Sequence, residues 1–155
     1  MTAARIGVAL ALVGTLAAGC ATDPLRDRTS AIKDRVKAFH DQLYADRVKA
    51  AVLENERIEA LASSIEADVL RRGRPVADNR LDKDWLAAKM AREVAAENWL
   101  TLGKYLMMKK RYEDARGAYR RLLSTYTTAD YRSQQEQATR GLQDVEMLMS
   151  PAGNR

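Results

Sequence analysis

Cysteine and histidine each occur once in this 155-residue chain, as Cys20 and His40. A lone cysteine forms no intramolecular disulfide, and a lone histidine builds no histidine-based metal site. Proline and glycine are scarce, at three and eight residues, and phenylalanine appears once. No G-x-S-x-G, Walker loop, G-x-G-x-x-G, H-E-x-x-H or C-x-x-C motif is present. The many carboxylates lie among bases on amphipathic patterns, and no two of them stand out as an acid–base couple. His40, between Phe39 and Asp41, reads as a surface or partly buried side chain. No enzyme, cofactor, metal or small-molecule substrate is expected.

What is present is helical. Ala, Leu, Arg, Lys, Glu and Gln dominate, residues that lose little conformational freedom in a helix. Apolar residues make up 46% and charged residues 30%, a globular balance. The formal charge of +5 is a mild excess over many opposite charges, a solvated helical surface rather than a nucleic-acid footprint. The class is therefore all-α, and the length suits one modest domain.

The one long apolar run is Ile6–Ala18, preceded by Arg5. Thirteen helical residues span about 20 Å, short of the roughly 30 Å of a hydrocarbon core. The segment reads as residues 1–19 of a cleaved signal peptide. It ends in Leu16-Ala17-Ala18-Gly19-Cys20, which resembles the lipobox of bacterial lipoproteins, with Ala17 where leucine is commonest. That resemblance implies cleavage before Cys20, a thioether-linked diacylglycerol on its sulfur and an acyl chain on its new amino group. Two or more chains anchor stably where one binds reversibly. Ala21, rather than Asp, follows the cysteine. The resemblance then implies an outer-membrane location with the domain facing the periplasm. Residues 20–24 are either a short tether or, at Asp23-Pro24, a helix cap followed by a first-turn proline.

From Leu25 to Arg72 there is neither glycine nor proline, and apolar residues recur at helical spacing from Ile32 to Val69. The stripe slips between Leu43 and Ile58. This predicts one long helix, or two antiparallel helices turning near Asp46 or Asn55. Arg71, Arg72, Gly73 and Pro75 form a stop signal, and Asp82 or Asp84 is expected to cap the next helix after a loop.

Ala96–Thr125 resembles a tetratricopeptide repeat, a helix–turn–helix unit. Trp99, Leu102 and Gly103 match its first helix. Tyr112, Ala115 and Tyr119 match its second, and the repeat is bounded at 96–129. Gly103 and Ala115 permit a close helix crossing, with Lys109–Arg111 as a polar turn. The usual closing proline is replaced by Thr127. A lone repeat leaves apolar faces uncovered. Asp130–Met149 is expected to cover one side. Trp85–Val94 and Leu25–Arg72 are expected to cover the other as degenerate repeats, and 150–155 is a tail. The resemblance places partner contacts on the first helix, at Glu97, Leu100, Lys104, Met107 and Met108. Met107 and Met108 could instead meet the N-terminal helices. The expectation is an antiparallel helical array in residues 25–149. It is held at a membrane by its lipid and serves as an adaptor or assembly accessory for another envelope protein. The alternative is a structural spacer or homo-oligomerising lipoprotein.

Overall fold

The slip in the apolar stripe after Leu43 is a tight turn. A computed structural model of the chain describes residues 24–73 and 79–150. The signal segment, residues 20–23 of the tether, the loop with Pro75 and the tail beyond Ser150 lie outside them, while Pro24 opens the first helix. Among the described residues the elements are α1 (Pro24–Tyr44), α2 (Val48–Arg72), α3 (Asn79–Met108), α4 (Tyr112–Thr125), a 3-10 turn (Ala129–Tyr131) and α5 (Arg132–Met149). The chain is all-α there.

Of the two candidate turning points, Asp46 is the turn and Asn55 is not. Asp46 takes φ of 56°. Its N–H donates to the Leu43 carbonyl at 3.0 Å, and the Arg47 N–H donates to Gln42 at 2.9 Å. These are the paired bonds of a Schellman stop, which satisfy carbonyls that the ending helix orphans. The α3–α4 turn repeats the arrangement. Lys110 has φ of 59°, its N–H donates to Met107 at 2.9 Å, and the Arg111 N–H donates to Leu106 at 2.9 Å. Arg47 and Arg111 then open the following helices with nearly equal angles, φ −91° and ψ 64° against φ −90° and ψ 66°. Ala51 and Ala115, equally spaced from their turns, are both fully buried. The hairpin α1–α2 therefore has the same joint as α3–α4.

The start of α3 corrects the expected cap. The helix begins at Asn79, so Asp82 lies in its first turn and Asp84 lies inside it, buried. Nor is Trp85–Val94 a separate element. It is continuous with the helix containing Trp99, so Ala96 is not an element boundary. Gly73 ends α2 at φ 69° and ψ 173°, a region open in practice only to glycine.

Side-chain pairs fix the directions. Arg28 of α1 meets Asp84 of α3, and Asp46 at the other end of α1 accepts a bond from Tyr105. These helices run parallel. Lys89 with Asp130, and Lys104 with Gln137, set α5 parallel to α3 on its other side. Helices α2 and α4 run antiparallel to these three and form a second layer, and each packs between successive members of the first. The core lies between the layers, with Phe39, Leu43, Ile58, Trp99, Leu106 and Leu122 at its centre. Ala51, Ala62, Ala91, Ala95 and Ala96 are buried at the crossings, where small side chains bring helix axes close.

Candidate interaction surface

Polar groups inside the array are placed to hold helices together. Glu59 of α2 is buried. Its Oε1 accepts from Trp99 Nε1 at 2.9 Å and from the Tyr126 hydroxyl at 2.7 Å. Its Oε2 accepts from Arg121 at 3.3 Å. The Arg121 guanidinium also lies over the Trp99 ring, 5.9 Å from its centroid. One carboxylate thus ties α2 to α3, to α4 and to the residue after α4. Burial, and next the bond to Glu59, push the Tyr126 phenol well above its ordinary range. One turn before Glu59, Asn55 donates to the Ala95 carbonyl at 3.0 Å and accepts from Asn98 at 2.9 Å. Every one of these groups has a protein partner, as burial demands.

The residues expected to pack do so. Trp99, Leu102, Gly103, Ala115 and Tyr119 are buried, and Tyr112 is half-buried against the core. Tyr119 sits in a slot. A methyl group at Gly103 would come 2.7 Å from its Cζ, and one at Gly141 of α5 would come 2.5 Å from the same atom. Gly141 is the member that sequence reasoning missed; an aromatic ring with a glycine on the helix before its own and another on the helix after is its signal. Burial, then the charge of Asp144, raises the Tyr119 phenol.

The expected contact residues divide. Glu97 and Lys104 are exposed, and Lys104 spends its ammonium on Gln137 at 3.0 Å. Met108 is 76% exposed, whereas Met107 is half-buried against the core. Leu100 corrects the expectation. It is fully buried, one turn before the residue that reaches α5, in the same core as Ala138. With α5 against this side of α3, Leu100 is a packing residue and presents nothing to a partner. His40 is half-buried, edge-on to Phe39 and stacked on Tyr44.

The array presents several large apolar side chains outward at one end. Tyr44, Met108, Met147 and Leu148 are all exposed, at the carboxyl ends of the three parallel helices α1, α3 and α5. On the opposite layer a cleft of about 390 Å³ opens between α2 and α4, floored by Val52, Leu102 and Leu106 and edged by Lys49 and Asp114. Among the described residues no cluster of three or more His, Cys, Asp or Glu side chains could hold a metal ion, and no helix is long and apolar enough to cross a membrane. Comparisons with protein-family models, with curated proteins and with solved structures find no match to this chain.

Proposed function

We propose that the chain is a lipid-anchored cell-envelope protein whose helical array, akin to tetratricopeptide repeats, binds another envelope protein. The anchor is Cys20, carrying diacylglycerol and an N-acyl chain, in the outer membrane with the domain toward the periplasm. The observation that carries the reading is the exposure of Tyr44, Met108, Met147 and Leu148 at the carboxyl ends of three parallel helices. Methionines adapt to a partner's contour, and a tyrosine gives a rigid anchor at low entropic cost. Asn55, Glu59 and Asn98 are occupied in holding helices, which turns attention to the surface. Confinement at the membrane raises the effective concentration for neighbours there.

A photo-crosslinking residue at Met108, in cells making the full chain, tests the reading. One discrete adduct that Tyr44→Glu abolishes is the expected result. Equal adducts from Met108 and from Lys33, exposed midway along α1, would sink the proposed surface. Light scattering on the purified protein separates the alternative: a compact monomer fits an adaptor, and a stable elongated homo-oligomer fits a spacer. Loss of lipid labelling and of membrane retention in Cys20→Ser tests the anchor.

A further inference from the structure

The amino ends of α1 and α3 and the carboxyl end of α2 meet at one pole of the molecule, and ion pairs clamp them there. Arg28 of α1 pairs with Asp68 of α2 at 3.1 Å and with Asp84 of α3 at 2.9 Å. Arg72 reaches the same Asp84 at 3.2 Å. Asp84 is buried, and Asp68 is also bonded by Arg71 at 2.6 Å. The first turns of α1 therefore hold a fixed place beside the other two helices.

Among the charged residues around this clamp, three large apolar side chains are exposed where nothing in the fold requires it. Leu70 is 76% exposed, Leu86 57% and Trp85 54%. Arg71 and Lys83, also exposed, flank them. Cys20 precedes Pro24 by four residues, so its α-carbon lies within about 14 Å of the start of α1, whatever path the backbone takes. On the lipid-anchor reading, on which this inference rests, that reach is less than the combined depth of a headgroup layer and the first turns of the helices.

We infer that this pole seats on a phospholipid surface. Trp85, Leu70 and Leu86 enter the boundary between headgroups and acyl chains, where indole and leucine side chains are favoured. The long stems of Arg71 and Lys83 lie along that boundary with their charges at phosphate level. The attraction is chiefly apolar. Among the side chains described at this pole, Arg28, Arg71, Arg72 and Lys83 are balanced by Asp27, Asp68, Asp82 and Asp84. A contact too weak to hold a free protein suffices here, because the anchor makes it intramolecular. The seat and the clamp together orient the array and turn the carboxyl ends of α1, α3 and α5 away from the bilayer.

Trp85 reports on its own environment. The processed full-length chain is reconstituted into vesicles whose acyl chains carry bromine, made either of phosphatidylcholine or of phosphatidylethanolamine with phosphatidylglycerol. Subtracting the emission of Trp85→Phe, a change at an exposed position, isolates the Trp85 component from that of buried Trp99. The expected result is a blue shift and bromine quenching of the Trp85 component in both lipid mixtures, persisting in high salt, with Trp99 unaffected. An unquenched Trp85 that emits as it does in soluble Cys20→Ser overturns the seat. So does quenching confined to the anionic mixture at low salt. Flotation and intact mass keep the two readings apart. A chain that floats and carries acyl mass while Trp85 stays in water leaves the anchor standing and removes the seat. A chain that neither floats nor carries lipid removes both.

Discussion

At the scale of single residues, the tightest constraint is the Tyr119 slot. Gly103→Ala forces the ring or a helix to move, and over-packing of this kind costs about 1–3 kcal/mol. Gly117→Ala is the matched control: a side chain there meets nothing within 4 Å, so the variant gains about 1 kcal/mol of helix propensity. Urea denaturation of the two should give midpoints displaced in opposite directions from the parent. Buried tyrosines supply the pH dependence. Tyr126 is held protonated in the folded state, by burial first and by Glu59 second, and burial raises Tyr119 and Tyr131 in the same direction. A phenol raised above its unfolded value of about 10 contributes in full below that pH and loses its contribution as pH rises beyond it. Stability should therefore fall above roughly pH 10, less steeply in Tyr126→Phe, as alkaline unfolding followed by circular dichroism would show. Trp99, Gly103, Ala115 and Tyr119 were legible in the sequence because large and small side chains recur at helical spacing. Glu59 was not, since a glutamate on an amphipathic pattern reads as a solvated charge until its three donors, from distant parts of the chain, are brought to it. Leu100 was misread for a related reason. Its place on the first helix marks an exposed face only when no later helix covers it, and α5 does.

At the scale of elements, two turns place non-glycine residues at positive φ. Lysine has no local bond to compensate for the left-handed backbone, whereas aspartate tolerates it better. Asp46 also accepts from the Tyr105 hydroxyl at 2.9 Å. Lys110→Gly is expected to raise stability by about 0.5–1 kcal/mol, and Asp46→Gly to gain less or to lose, because it gives up the bond to α3. Chemical denaturation of both variants checks the ordering; an equal gain would mean that the Tyr105 bond contributes nothing. The break between α1 and α2 was legible as a slip in period, and its site was narrowed to two residues. Choosing Asp46 over Asn55 needed the hydrogen bonds, since each side chain suits a turn and Asn55 had a buried use instead. The length of α3 escaped because Asp82 and Asp84 look like caps, while Asp84 is taken up by arginines of α1 and α2.

At the scale of the whole molecule, two poles differ in character. One carries the Arg28–Asp84–Arg72 clamp beside Trp85 and Leu86, and the other carries Tyr44, Met108 and Met147. Removing Asp84 leaves Arg28 with Asp68 alone and frees the half-exposed Arg72, and Asp84→Ala is expected to cost about 1–3 kcal/mol. Amide hydrogen exchange would show the loss concentrated in the first turns of α1, and uniform exchange along all helices would contradict the clamp. The all-α class and the run of helical hairpins were open to sequence reading because each rests on local periodicity. The joining of α1 to α3 was hidden, because it depends on pairs far apart in the chain. That layout also bears on the order of folding. Nearly every helix rests on the one just before or after it, so most of the core closes over short stretches of chain, the condition under which small domains fold in microseconds to milliseconds. A chain emerging from its amino end can bring α1 and α2 together before α3 covers them. Arg28 meets Asp68 within that hairpin but Asp84 only after α3 has emerged, so the pole nearest Cys20 is the part of the first hairpin that reaches its full set of ties last.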